Sequence, residues 1–293
     1  MSAPPEPPPP GIGRFLEIQN LGLNLPFALA FLFLASDGWP TVRTTILVVV
    51  AFVAARNAGH SFNRWADRAL DAQNPRTRGR ALVTGRLSAE FAVGMAVANA
   101  AILVVAAYLL NPLAFVLAPV ALALVFGYSY TKRITTFTTA FLGLVEAITP
   151  AAVYIAVTGS LPATVLLAVG ALLAWGTAFE TVHSLGDIAS DRALGLFSVP
   201  RALGERASVR LVVVLHALAL LLLAGFGRLA GLSLPYFVGL AAMAAVAAVT
   251  DVGLAARPTE ARIPFERHFA LGAIFFAGVV LAVLVPATAA VRP

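Results

Sequence analysis

Two groups of oxygen-bearing side chains stand out by their spacing. Asn63, Asp67 and Asp71 recur every four residues. On a helix of 3.6 residues per turn such steps drift by only about 40°, so the three line one face. Glu180, Asp187 and Asp191, separated by seven and four residues, share a face in the same way. Rows of this kind offer hard oxygen donors suited to Mg²⁺, which takes one or two carboxylates together with water and phosphate oxygens. The chain has no cysteine, so it offers neither a thiolate nucleophile nor a thiolate metal site. Basic residues lie among the rows: Arg68, Arg76, Arg80, Lys132 and Arg192 are suited to neutralising phosphate charge, arginine in bidentate fashion. The implied substrate is a diphosphate with an apolar tail, gripped through metal ions between two carboxylate faces.

The elements that must hold these rows are membrane helices. Of 293 residues 60% are hydrophobic and 12% charged, whereas soluble domains carry about 25% charged residues. Apolar stretches near 21–41, 43–65, 88–110, 112–130, 137–158, 162–186, 208–227, 233–255 and 267–290 predict nine transmembrane helices. Most approach or exceed the ~20 residues that span about 30 Å of hydrocarbon, the fourth being short. Gly38-Trp39-Pro40, Asn111-Pro112, Gly159-Ser160-Leu161-Pro162 and Arg257-Pro258 punctuate them. Residues 1–13 read as a disordered proline-rich tail without the features of a cleaved leader, and residues 14–293 as one domain.

The net charge of +6 has a topological reading that does not call on nucleic acid. Short cytoplasmic loops retain Lys and Arg. With the N-terminus inside, 16 of the 20 basic residues fall in inside segments, leaving Arg43, Arg228 and Arg292 outside and Arg56 within the second helix. Both acidic rows then lie at the cytoplasmic face of the plasma membrane, and nine crossings put the C-terminus outside.

The segment Arg56-Asn-Ala-Gly59-His-Ser-Phe-Asn63-Arg-Trp-Ala-Asp67-Arg68-Ala-Leu-Asp71, followed by Asn74-Pro75-Arg76-Thr77-Arg78-Gly79-Arg80, resembles the first Asp-rich motif of the UbiA superfamily of intramembrane aromatic prenyltransferases. Asp187-Ile-Ala-Ser-Asp191-Arg192-Ala-Leu-Gly195-Leu-Phe197-Ser198-Val-Pro200 resembles the second, and Tyr128-Ser-Tyr-Thr-Lys132-Arg133 the segment between them. Within the superfamily the chain is most similar to the 4-hydroxybenzoate polyprenyltransferase type, especially its menaquinone-associated branch. The resemblance implies an all-α integral membrane bundle of nine helices around a lipid-accessible cavity. It also implies Mg²⁺, a polyprenyl diphosphate donor, an aromatic acceptor such as 4-hydroxybenzoate in quinone biosynthesis, and surrounding membrane lipid. In that frame Asn63, Asp67, Asp71, Asp187 and Asp191 carry catalysis and, with Glu180, hold metal. Arg56, Arg68, Arg76, Arg80, Tyr128, Lys132, Arg192 and Ser198 bind substrate. The chain departs from the pattern at Glu17 and Asn20, where the family usually carries Lys and His, and this leaves the acceptor open.

Arg56 lies about two turns deeper than Asn63 on the same face, where an arginine is costly and usually functional, so it is assigned to the acceptor carboxylate or the diphosphate. Glu146 reads equally as a packing group or a cavity group, and His216 and His268 as packed core histidines. Other acceptors stay open: haem, homogentisate, dihydroxynaphthoate or a glycerol phosphate lipid. So does a secondary transporter, although transporter sites usually lie at the midplane rather than at one face. A CDP-alcohol phosphotransferase is disfavoured because its Asp-Gly-x-x-Ala-Arg element is missing.

Overall fold

The computed structural model describes residues 15–17, 21–257 and 265–285, so the expected tail over 1–13 and Asn20 fall outside the described residues. Every regular element among them is a helix. In chain order these are α1 (Leu21–Ala35), α2 (Val42–Ala66), α3 (Arg68–Asp71), α4 (Ala89–Leu110), α5 (Pro112–Thr131), α6 (Thr138–Ala147) and α7 (Thr149–Thr158). There follow α8 (Val165–Leu185), α9 (Ile188–Ala193), α10 (Val199–Leu203), α11 (Glu205–Leu229), α12 (Leu234–Ala256) and α13 (Phe265–Leu284).

Eight spans among the described residues are long and apolar enough to cross a membrane, with α6 and α7 together forming one of them. The ninth expected span, α1, is shorter. It stops at Ala35 because Asp37 and Gly38 adopt positive φ of 48° and 138°, which turns the chain before Trp39-Pro40. Its 15 residues rise only about 22 Å. The segment expected over 137–158 is interrupted at Ile148, where Pro150 in the first turn of α7 removes an amide donor from the ladder. Asn111 fixes the α4–α5 turn: its side-chain oxygen accepts from Ala114 N at 2.9 Å, while its Nδ2 donates to Ile155 O and Ala156 O at the end of α7. One side chain thus ties three helices together at the face opposite the acidic rows.

Helix α8 is the most enclosed span, 56% of its apolar window being buried, and it packs on both α6 and α11. Helix α2 packs on α4 and α5, and α1 on α13. Large apolar side chains such as Val97, Val105, Leu221 and Val252 point outward. Such a surface is tolerated only against lipid. An aromatic cluster of Phe31, Phe226, Tyr236 and Phe275 joins α1, α11, α12 and α13, with Tyr236 Oη donating to Leu223 O at 2.8 Å so that its buried hydroxyl is satisfied.

The two acidic helices end alike. Helix α2 stops at Ala66 with Asp67 at φ −92°, ψ 0°, and the one-turn α3 follows. Helix α8 stops at Leu185, Asp187 takes φ −105°, ψ 1°, and the six-residue α9 follows. The expectation of one continuous helical face through each row is therefore corrected: each row bends at its first aspartate.

Candidate active site

The two bends face one another across a cavity of about 230 Å³ at the bundle's polar end. Its walls include Asn63, Asp67, Asp71, Glu180, Asp187 and Asp191, so both rows reach one space. Tyr128, Lys132, Arg76, Arg80 and Ser198 line it as well.

Each carboxylate is held by its own partners. Asp67, 3% exposed, accepts from Lys132 Nζ at 2.5 Å, Arg133 Nη2 at 3.0 Å and Asn63 Nδ2 at 3.0 Å. Asp71 accepts from Arg80 Nη1, which lies 2.7 Å from both carboxylate oxygens. Asp187 receives a two-pronged contact from Arg76 and a bond from Asn74 Nδ2 at 3.2 Å. Asp191 accepts from Ser198 Oγ at 2.8 Å. The loop carrying Ser198 is anchored by Phe197 N donating to Lys132 O at 2.8 Å, so the segment between the motifs also positions the second motif.

Arg76, Arg80, Lys132 and Arg133 thus face Asp67, Asp71 and Asp187 in near-balanced charge. Burial pushes the Asp71 carboxyl up to about 6, with the charge of Asp67 adding to the effect, while Thr77, Lys132 and Arg64 pull the other way. Burial likewise raises Asp191, opposed by its Ser198 bond. Bonding to Asp187 raises Arg76 and keeps it cationic.

No three acidic or imidazole groups among the described residues converge into a closed metal cage. The donor set nevertheless fits Mg²⁺, because that ion keeps several waters and binds through one or two carboxylates plus substrate phosphate rather than through an all-protein cage. Oxygen donors stand on both sides of the space in which a phosphate would sit.

Below the mouth opens a larger cavity of about 730 Å³, sharing Asn63, Arg76, Arg80, Tyr128, Glu180 and Asp187 with it. Apolar side chains such as Val48, Phe52, Leu103 and Val153 line its depth. Arg56 belongs to this deeper space, where it donates to Leu16 O at 2.6 Å and Glu17 O at 3.1 Å. Glu17 pairs with Arg64 on the same helix.

Two expected substrate contacts are not brought to the site: Arg68 and Arg192 are exposed, and neither lines either cavity. Each follows an aspartate of its row by one residue, and one helical step of about 100° turns it away. Arg133 and Asn74, quoted above only as parts of the motifs, prove to be direct partners of Asp67 and Asp187. His216 and His268 are core histidines as expected. His216 stacks on Trp175 with centroids 4.6 Å apart and bonds Asp251 at 2.8 Å, and His268 stacks on Phe179 at 4.1 Å.

Fold and site together define an integral membrane protein whose helices enclose a carboxylate-and-cation mouth above a deep, largely apolar cavity. Residues 24–270 match the UbiA prenyltransferase family, and the chain belongs to that family. It is 32% identical over 249 residues to a 4-hydroxybenzoate octaprenyltransferase of Methylobacillus flagellatus, covering 85% of this chain and 84% of the relative. A UbiA homolog from Aeropyrum pernix K1, solved in its apo form, superposes with a TM-score of 0.82 at 31% identity, covering 91% of this chain and 99% of that one. A UbiA homolog from Archaeoglobus fulgidus, solved bound to GPP and Mg²⁺, shares the fold with a TM-score of 0.74 at 18% identity, covering 92% of this chain and 98% of that one.

Proposed function

We propose that the protein transfers a polyprenyl group from its diphosphate to an aromatic acceptor such as 4-hydroxybenzoate in quinone biosynthesis, with Mg²⁺ held between the two aspartate bends. The observation that carries this reading is the meeting of both rows, with Arg76, Arg80 and Lys132, in a mouth that continues into the larger cavity. The name of the Methylobacillus flagellatus relative and the GPP and Mg²⁺ of the Archaeoglobus fulgidus homolog support it.

Asn63, Asp67, Asp71, Asp187 and Asp191 hold the metal, whose charge stabilises the departing pyrophosphate as a Lewis acid. Glu180, about two turns below Asp187 and also in the wall of the mouth, joins them from beneath. Arg76, Arg80 and Lys132 exchange their carboxylate partners for phosphate oxygens, so the positive charge already in place meets the charge that develops as the allylic C–O bond breaks. The electron pair of that bond leaves with pyrophosphate, the acceptor ring attacks the allylic cation, and the ring then loses a proton. Ser198 orients Asp191, and Tyr128, in the wall of both cavities, contacts the substrate where they join. Arg56, one level below the mouth, takes the acceptor carboxylate. The donor's apolar tail occupies the lower cavity and reaches the lipid. The concentration of Lys and Arg in alternate loops supports a plasma membrane orientation with the N-terminus and the mouth cytoplasmic and the C-terminus outside.

Incubating purified protein with Mg²⁺, labelled polyprenyl diphosphate and 4-hydroxybenzoate tests the reading. Prenylated aromatic should form, and Asp67→Ala and Asp191→Ala should each abolish it; undiminished transfer in both variants sinks the site assignment.

A further inference from the structure

Three ionisable side chains ring the lower cavity at one depth. Arg56 lies seven residues below Asn63 on α2, Glu180 seven below Asp187 on α8, and Glu146 seven below Thr139 on α6. Seven residues of helix are about 10 Å, so all three stand roughly two turns beneath the mouth. Glu146 is the member of this ring to which the reaction above gives no role. It is held in place: Asn24 Nδ2 donates to its Oε1 at 3.1 Å. Its other oxygen, Oε2, stands 2.7 Å from the position a Cβ would occupy at Gly176, one turn before Glu180. A side chain at Gly176 would displace the carboxyl, and its lack lets Glu146 lie flat against α8. Helix α6 ends one residue later, where the chain breaks at Ile148. Glu180 is within electrostatic reach of both Glu146 and Arg76, which connects this level to the mouth.

Resting on the transfer reaction above, we propose that Glu146 is the catalytic base that removes the ring proton after the prenyl group has been transferred. The bond broken is the ring C–H at the newly substituted carbon. Its electron pair restores the aromatic ring, and the proton passes to the Glu146 carboxylate. Asn24 is a positioning residue, because its bond to Oε1 fixes the carboxyl at the cavity wall. Arg56 and Glu146 line the same cavity, so an acceptor whose carboxylate lies on Arg56 shares that space with Glu146.

The test compares the full-length wild type with Glu146→Gln, Glu146→Asp and Asn24→Ala. Pyrophosphate release, prenyl alcohol and prenylated aromatic are measured with Mg²⁺ and with 4-hydroxybenzoate carrying hydrogen or deuterium ortho to the hydroxyl. Glu146→Gln should keep pyrophosphate release while aromatic product falls by about 100-fold, the loss of one general base. Prenyl alcohol should appear as water captures the cation, and a ring-deuterium isotope effect should emerge. Glu146→Asp should recover part of the product, and Asn24→Ala should fall between the two. Retained pyrophosphate release also shows that the variant is folded. The proposal is overturned if product and pyrophosphate fall together in Glu146→Gln without an isotope effect, or if product does not fall. A wild type that releases pyrophosphate but prenylates no aromatic acceptor overturns the acceptor reading instead, and with it the role of Glu146.

Discussion

Arg76 grips Asp187 with two prongs, Nε at 3.0 Å from Oδ1 and Nη2 at 2.6 Å from Oδ2, across 111 residues of chain. The loop following one aspartate row thereby closes on the first aspartate of the other. This pair both fixes the width of the mouth and stores a bidentate cation where a phosphate is to bind.

Replacing Arg76 by Ala should weaken donor binding more than it alters folding, since the side chain is 56% exposed. A loss of about 1.5–3 kcal/mol, typical for hydrogen bonds to charged groups, corresponds to roughly 10- to 150-fold in donor KM. Arg76→Lys should recover only part of this, because an ammonium lacks the planar fork. Steady-state kinetics at varied donor concentration reads both effects, and an unchanged KM in Arg76→Ala would remove the pair from the binding site.

Metal binding should depend on pH in one direction. Asp71 ionises only near pH 6 and Asp191 is also raised, so acidification protonates groups that must be anionic to hold Mg²⁺. Apparent Mg²⁺ affinity should be nearly flat above about pH 7 and fall toward pH 5, on the order of tenfold per unit for each carboxyl titrated. Titrating Mg²⁺ at several pH values checks this. Affinity that rises on acidification would contradict it.

Asp251 and His216 join α12 to α11 away from the mouth. Asp251→Ala should cost about 0.6–2 kcal/mol, the range for polar contacts between membrane helices, by leaving a buried imidazole nitrogen without its acceptor. Thermal denaturation in detergent should show the lower midpoint, and transfer by the folded variant should stay close to wild type.

The sequence displays the rows themselves, because four- and seven-residue steps mark a helical face whatever surrounds them. Span limits were legible within a few residues where turn residues punctuate the chain, as at Asn111-Pro112 and Gly159, and less so at Ala35, where the stop depends on two residues taking positive φ. The bends at Asp67 and Asp187 were not legible, since periodicity is the same for a continuous helix and for a broken one. Nor were the partners: Arg76 with Asp187, Arg133 with Asp67 and Arg56 with the carbonyls of Leu16 and Glu17 are all set by tertiary packing. Arg68 and Arg192 show the converse. They lie beside aspartates in sequence, yet one residue along a helix turns them off the shared face.

The central claim is that the two rows form a single Mg²⁺-dependent diphosphate site. Equilibrium binding of a non-cleavable prenyl diphosphate analogue to purified wild type, Asp67→Ala and Asp191→Ala, with Mg²⁺ and with a chelator, tests it most directly. Tight binding should require Mg²⁺ in the wild type and be lost when either row is disabled. Binding that survives chelation, or that depends on one row alone, would contradict the claim.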